Sequence, residues 1–453
     1  MSKFVNLIVF FLLVEICQGQ QIGNTISSKE KIFHLSTLWS ELKYNYVNMD
    51  HVSFDIDSLY SAYIPRIIET NNDYEFYRLM RKFTATFKDG HTEIWDNGMF
   101  STMRDYFTLN LIDVGEKVYV STVRKSPEND STWVGAEVVK ITNIPTKQFL
   151  EDSIFPYISA STTQHMWMQG VHQVHQDFVW KKFQATLVLM NGDTVDITLS
   201  RNGEATRTLN DQTWGIPYER NVQLVKFEVI DDSIGYLNIR AFSPEEVAIK
   251  LIDQHIDAIN KTKGLIIDLR KNGGGSTTVA WYLQSLLTRN DHFLNFGWET
   301  RINNGVKKAN ANWKVEYKEF GNNTALLFNR PDTIFIPDTI KRISVPVVVL
   351  IGRYTFSAAE DFLVNIYETP QRPKLIGEET GGSTGSPLVV KGLPNDGIIR
   401  ICTRRICFPY SGKRFVNGGI KPDIEIAQTI HDLLDSRDVV LERGINEILQ
   451  MRK

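Results

Sequence analysis

Cysteine is scarce. The chain of 453 residues has three, and with Cys17 near the N-terminus only Cys402 and Cys407 remain in the body of the chain. A disulfide framework is thereby excluded, as is a paired-cysteine metal site. An excess of positive charge is also missing: Lys plus Arg number 50, Asp plus Glu 53, and the net charge of −3 is interspersed, so no nucleic-acid face is expected. Beyond the first twenty residues no apolar run is long enough to span a bilayer. Long repeats and low-complexity tracts are absent.

What is present begins with "MSKFVNLIVFFLLVEICQGQQ", which has Lys3 near the start, an apolar run from Phe4 to Val14 and the small Gly19. This is the layout of a secretory signal peptide over residues 1–19, with a retained signal anchor as the alternative. Its removal takes one Lys and one Glu and leaves the charge at −3. The protein is expected to be exported, periplasmic or extracellular. In such a compartment Cys402 and Cys407 face each other if "CTRRIC" is a tight hairpin, and lie on opposite faces if it is one continuous strand. The residues leave both arrangements open.

The length calls for two or three domains. Residues 28–100 read as a helical N-terminal domain, because "KIFHLSTLWSELKYNYV" and "YEFYRLMRKFTATF" space apolar residues at three and four. Residues 106–201 alternate short β-rich runs with turns and close in a hairpin around Asn191-Gly192. From 222 to 450, buried-type strands such as "KGLIIDLRKNGGG" and "VPVVVLIG" alternate with helices, which predicts an α/β domain with a covered sheet. A polar, Asn-rich insertion near 286–344 interrupts it, as a lid would.

Three stretches can carry chemistry. In "LIIDLRKNGGGS" a buried strand runs into Gly273, Gly274 and Gly275. The run lacks the spacing and Lys of a phosphate loop, and three glycines exceed what a turn needs, so an oxyanion-binding role is expected. In "VPVVVLIGRYTFSAAE" a strand ends and Ser357 opens a helix. Ser357 and Glu360 form S-x-x-E, a capping-box pattern. The same position presents the Ser357 hydroxyl at a strand's carboxyl end, with the Ala358 N–H at a helix N-terminus where a developing oxyanion is favoured. A nucleophilic serine needs a base, and His91 in "DGHT" follows a turn that is expected to expose it. His165, His172 and His175 lack acidic or cysteine partners in metal-ligand spacing. They are expected on the surface or in packing, with no metal and no organic cofactor required.

The order DGHT, β-rich module, D-L-R-x-N-G-G-G, S-A-A-E, G-E-x-T-G-G and G-I-x-P-D resembles the family of tail-specific (C-terminal processing) and tricorn-like serine peptidases, closer to the tricorn-like branch. The resemblance covers nearly the whole chain after residue 19. It implies a helical N-terminal region, a PDZ-like module at 106–201 and a catalytic α/β domain of Clp/crotonase type. Where the tail-specific branch has its catalytic Lys, this chain has Ser383 in "ETGGSTG", so the tricorn-like pairing of Ser357 as nucleophile with His91 as base is implied. The Glu of the tricorn-like pattern before G-I-x-P-D is replaced by Val416 or Asn417. Glu360 is the expected third member, Gly274 and Ala358 the oxyanion hole, and Thr92 and Ser383 auxiliary contacts. The resulting expectation is a serine peptidase acting on polypeptides. The alternatives are a non-catalytic peptide or ligand binder of the same fold, and an acyl-transfer enzyme on a crotonase-like scaffold.

Overall fold

The computed structural model describes residues 22–201, 213–216, 222–231, 233–302, 309, 326–329 and 332–451. The signal-peptide segment 1–19 and much of the 286–344 insertion lie outside them. Three helices open the chain: Ser28–Asn45, Ile56–Ile68 and Asp73–Ala85. Each starts where a short polar side chain takes an orphan amide. Ser27 and Glu30 form a reciprocal capping box, Asp55 accepts from the Ser58 N–H at 2.9 Å, and Asn72 accepts from the Glu75 N–H at 2.9 Å. Their apolar stripes bury Leu35, Leu38, Leu42, Ile67, Phe76, Met80 and Phe83 in one cluster. The same cluster takes in Leu388, Leu393, Ile399, Ile401 and Cys402, more than 300 positions away, so the helices share a core with the strands Pro387–Leu393 and Gly397–Cys402.

The β-rich stretch forms a seven-stranded antiparallel sheet. Its path runs through Thr213–Gly215, Lys117–Arg124, Glu137–Ile141, Phe183–Val188 and Thr194–Leu199, with Leu109–Val114 and the two-residue Ile144–Pro145 alongside. The hairpin expected at Asn191-Gly192 pairs Val188 with Thr194, and Gly192 has φ +91°, the left-handed region such a turn needs.

The site rests on a six-stranded sheet in the order Val225–Ile230, Ile234–Ile239, Gly264–Asp268, Val347–Ile351, Lys374–Gly377 and Ile424–Glu425. Only the first strand is antiparallel to its neighbour. Both faces are covered. Leu265, Ile267, Val349 and Ile351 face a cluster built with the helices Glu245–Asp253, Thr277–Leu287 and Ala358–Tyr367. Ile266, Val348 and Leu350 face Val440 and Ile448 of the helix Val439–Gln450. This two-sided burial is why the strands read as unbroken apolar runs rather than as alternation.

"CTRRIC" is not a hairpin. Cys402 ends the strand Gly397–Cys402, which pairs with Pro387–Leu393, whereas Arg404–Cys407 crosses to pair with Gly297–Ile302 of the insertion. Both cysteines are buried and free. The switch between sheets is held by the fully buried Arg405, which bridges Glu299 and Asp50.

Candidate active site

Two loops at the carboxyl ends of neighbouring parallel strands build the centre. The first follows Gly264–Asp268. Leu269 accepts a hydrogen bond from the Thr355 hydroxyl at 2.8 Å, and the Asn272 carbonyl accepts from the Phe356 N–H at 3.0 Å. The second follows Val347–Ile351 and ends in Ser357, the N-cap of Ala358–Tyr367. Ser357 has φ +56° and ψ −127°, a conformation costing a non-glycine residue roughly 1–3 kcal/mol. The tight strand-to-helix turn that imposes it lifts the side chain off the helix. The capping box expected from S-x-x-E is present, with the Ser357 N–H donating to the Glu360 carboxylate at 3.3 Å. The Ser357 hydroxyl also lies 3.1 Å from Nε2 of His91.

His91 is buried, with 2% of its surface exposed, which corrects the expectation of an exposed histidine. The Asp89-Gly90 turn directs it inward, and the ring is clamped by stacking. Phe356 lies parallel to it at 4.9 Å, and His165 packs on the other face of Phe356 at 4.8 Å. His165 is thus a packing residue, as expected of it. Burial, with further repulsion from Arg400, His165 and Arg404, lowers the His91 pKa to about 3, so the imidazole is neutral near pH 7.

Ser383, expected only as an auxiliary, touches His91 directly: its Oγ lies 2.7 Å from Nδ1. The same hydroxyl lies 3.4 Å from Oδ1 of Asp89. Glu360, the expected third member, does not reach the imidazole. It is fully buried and accepts from the Thr380 hydroxyl and from the N–H groups of Gly382 at 2.8 Å, Ser383 at 2.9 Å and Ser357 at 3.3 Å. Its role in the structure is to pin the 380–383 loop to the Ser357 turn. Burial pushes its pKa up to about 8, against the pull of those four donors. Thr92 is also displaced from its expected part. Its hydroxyl accepts from the Cys402 N–H at 3.1 Å and holds the neighbouring strand.

Gly274 lies against Ser357 as expected. It has φ +93°, and a Cβ there would sit 2.7 Å from Ser357 Cβ and 2.8 Å from the Ala358 nitrogen. Its N–H is not available, however, because it donates to Oδ1 of Asn272 at 2.8 Å. Among the described residues the amides of Ala358, Gly273 and Gly275 have no acceptor. Val416 and Asn417 make no hydrogen bond to His91. Among the described residues no cluster of His, Cys, Asp or Glu has the composition of a metal site.

A cavity of about 950 Å³ opens beside the centre, with Gly90, His165, Gly273 and Phe356 at its catalytic end and Trp95, Arg104 and Arg201 farther out. The sequence reading missed Asp89, taken only as a turn residue, and Phe356. The Asp-Gly-His spacing was the available signal for the first. Nothing local marks the second.

The model of Peptidase family S41 matches residues 233–426. The carboxy-terminal processing protease CtpA of Bacillus subtilis (strain 168) is 27% identical over 236 residues, 52% of this chain and 43% of that protein. The match thus spans less than half of the relative's length. Mature CPAF complexed with lactacystin shares the fold, with a TM-score of 0.68 at 14% identity over 94% of this chain and 97% of that one. A second structure of mature CPAF gives 0.66 at 16% identity over 93% and 96%. Family model and relative agree with the order of motifs in the sequence, and over residues 233–426 the chain is similar to Peptidase family S41.

Proposed function

We propose that this protein is an exported serine peptidase that cleaves polypeptides with Ser357 as nucleophile and His91 as general base. The observation that carries the proposal is the 3.1 Å contact between His91 Nε2 and Ser357 Oγ beside unoccupied amides. His91 Nε2 takes the hydroxyl proton as Ser357 Oγ attacks the scissile carbonyl carbon. The carbonyl oxygen becomes an oxyanion held by the Ala358 N–H and by the free amides of the glycine loop, Gly273 and Gly275. The C–N bond then breaks, the Nε2 proton passes to the leaving amine, and an ester to Ser357 remains. Water attacks that ester with His91 again as base and restores the hydroxyl. Apart from the hydrolytic water, every group named in these steps is a protein side chain or amide.

The proposal extends to the organisation read from the sequence. Residues 28–100 are the helical domain, 106–201 the PDZ-like module and 222–450 the catalytic domain of Clp/crotonase type, with residues 1–19 as the export signal. Support for a peptide substrate comes from the 950 Å³ cavity, which lies between the first two and ends at Gly273 and Phe356. No helix among the described residues is long and apolar enough to cross a membrane.

The test is hydrolysis of unfolded casein and of a mixed peptide library, with covalent labelling by a fluorophosphonate, for wild type, Ser357→Ala and His91→Ala. Both variants are expected to lose hydrolysis by several orders of magnitude and Ser357→Ala to lose labelling, since the two residues act as a unit. A wild type that neither cleaves nor labels would overturn the peptidase and leave a binder of the same fold. Loss in Ser357→Ala alone would remove His91 as the base.

A further inference from the structure

His91 Nδ1 meets no carboxylate, and the geometry points to Asp89 as the group that supplies one, acting through the Ser383 hydroxyl. The inference rests on the peptidase proposed above. Asp89 stands two residues before His91 and cannot reach its ring. Its Oδ1 accepts the His91 backbone N–H at 2.8 Å, the local turn an aspartate makes at this spacing. Ser383, 292 positions further on, fills the gap. Its Oγ lies 2.7 Å from Nδ1 and 3.4 Å from Oδ1 of Asp89.

The direction of the chain follows from what each atom can do. Burial raises the Asp89 pKa, and the donors His91, Ser383, Tyr46 and Asn48 pull it back down; in its ionised form the carboxylate only accepts, so the Ser383 proton points to Asp89. The Ser383 oxygen is then left to accept, so Nδ1 of His91 must carry the proton. Nε2 is thereby bare and faces the Ser357 hydroxyl at 3.1 Å, which is the tautomer a general base requires. When Nε2 takes the Ser357 proton, the imidazolium charge is offset by Asp89 across one hydroxyl. No proton moves along the relay. Asp89 and Ser383 are positioning residues, and His91 and Ser357 carry the chemistry.

Glu360 does not compete for this part. Its oxygens are taken by the Thr380 hydroxyl and three backbone amides, and it meets Ser383 only at the N–H. Asp89 is 5% exposed, its second oxygen accepts from Asn48 Nδ2 at 3.4 Å, and the Tyr46 hydroxyl and the Cys402 thiol also bond to its carboxyl group.

The experiment compares wild type, Ser357→Ala, Asp89→Asn, Ser383→Ala and the Asp89→Asn/Ser383→Ala double variant, each confirmed folded by thermal melt. Two readouts are taken. One is the ¹⁵N shift of the His91 ring nitrogens, assigned with His91→Gln, which reports the tautomer without any substrate. The other is kcat and KM on casein-derived peptides. In wild type Nδ1 is expected to be protonated and Nε2 bare. A directly bonded aspartate of a serine triad is worth about 10⁴ in kcat, and with one hydroxyl interposed the Asp89→Asn loss is expected at about 10²–10³ with KM little changed. Both single variants should lose the pure tautomer, and the double variant should be only a few-fold worse than either single one, because one relay is broken once. An unchanged tautomer and a kcat within threefold of wild type in Asp89→Asn would overturn the relay while a dead Ser357→Ala leaves the peptidase standing. Equal rates in wild type and Ser357→Ala would overturn the peptidase, and the ring shifts would still decide whether Asp89 sets the tautomer.

Discussion

Replacing Gly274 by alanine places a methyl group where the backbone leaves no room. The added Cβ would lie 2.7 Å from the Phe356 carbonyl oxygen, 2.7 Å from Ser357 Cβ and 2.8 Å from the Ala358 nitrogen, at φ +93°. The left-handed backbone alone costs an L-residue about 1–2 kcal/mol, and relieving the contacts by moving either loop adds about 1–3 kcal/mol, so a stability loss of about 2–5 kcal/mol is expected. The methyl also shields the Ala358 N–H, and loss of one oxyanion donor costs about 10²–10³ in kcat. Urea denaturation measures the first effect, and the rate of fluorophosphonate labelling of Ser357 on the folded variant measures the second. Gly273→Ala is the control. Its Cβ meets nothing within 4 Å, so stability within about 0.5 kcal/mol of wild type and retained labelling are expected. A Gly274→Ala variant that is destabilised yet labels at the wild-type rate would refute the oxyanion geometry. One that is as stable as wild type would refute the steric reasoning as well.

Two further outcomes follow from buried charge. The proposed base His91 would work in its neutral form, and burial lowers its pKa to about 3, so protonation is expected to remove activity only as pH falls through that low value. The kcat/KM profile is therefore expected to stay level from pH 7 down to about 5, and a half-point near the ordinary histidine value of 6.5 would refute the assignment. Arg353, in the turn before Ser357, forms an ion pair with Asp113 of the strand Leu109–Val114. Their side chains are only 17% and 4% exposed. Asp113→Ala leaves the largely buried guanidinium with only the longer carboxylate contact to Glu378 at 3.9 Å and is expected to cost about 2–4 kcal/mol in chemical denaturation. A loss below about 1 kcal/mol would show that Glu378 replaces the lost partner.

The serine site combines rigid and strained parts. The parallel strands beneath it bury every residue of Gly264–Asp268 and most of Val347–Ile351. That core holds two loops at fixed separation and sustains the positive φ of Ser357. Glu360 then fastens the third loop, carrying Ser383, to the first turn of the same helix. Breaking Glu360 therefore acts on the site through position, which is why a carboxylate out of reach of the imidazole still belongs to its construction.

The sequence by itself determined the parts whose cause is local. The helices announce themselves by apolar spacing and caps, the covered sheet by unbroken aliphatic runs, and the strand-to-helix turn at Ser357 by an apolar run that stops at Gly352 and a helix that starts just after Ser357. Gly274 is legible because three glycines in a row exceed a turn's needs, and His91 because Asp-Gly places it at a turn. The tertiary structure decided what depends on segments far apart in the chain. Local periodicity carries no information about which hydroxyl meets Nδ1, and Ser383 meets it from 292 positions away. The same reason hid the burial of His91, which the turn signal reversed because Phe356 and His165 close over the ring. It hid the helical core shared with residues 388–402. It also left the cysteines undecided, because the strand that separates Cys407 from Cys402 is drawn away by Gly297–Ile302 and by the ion pairs of Arg405, none of which is visible in "CTRRIC".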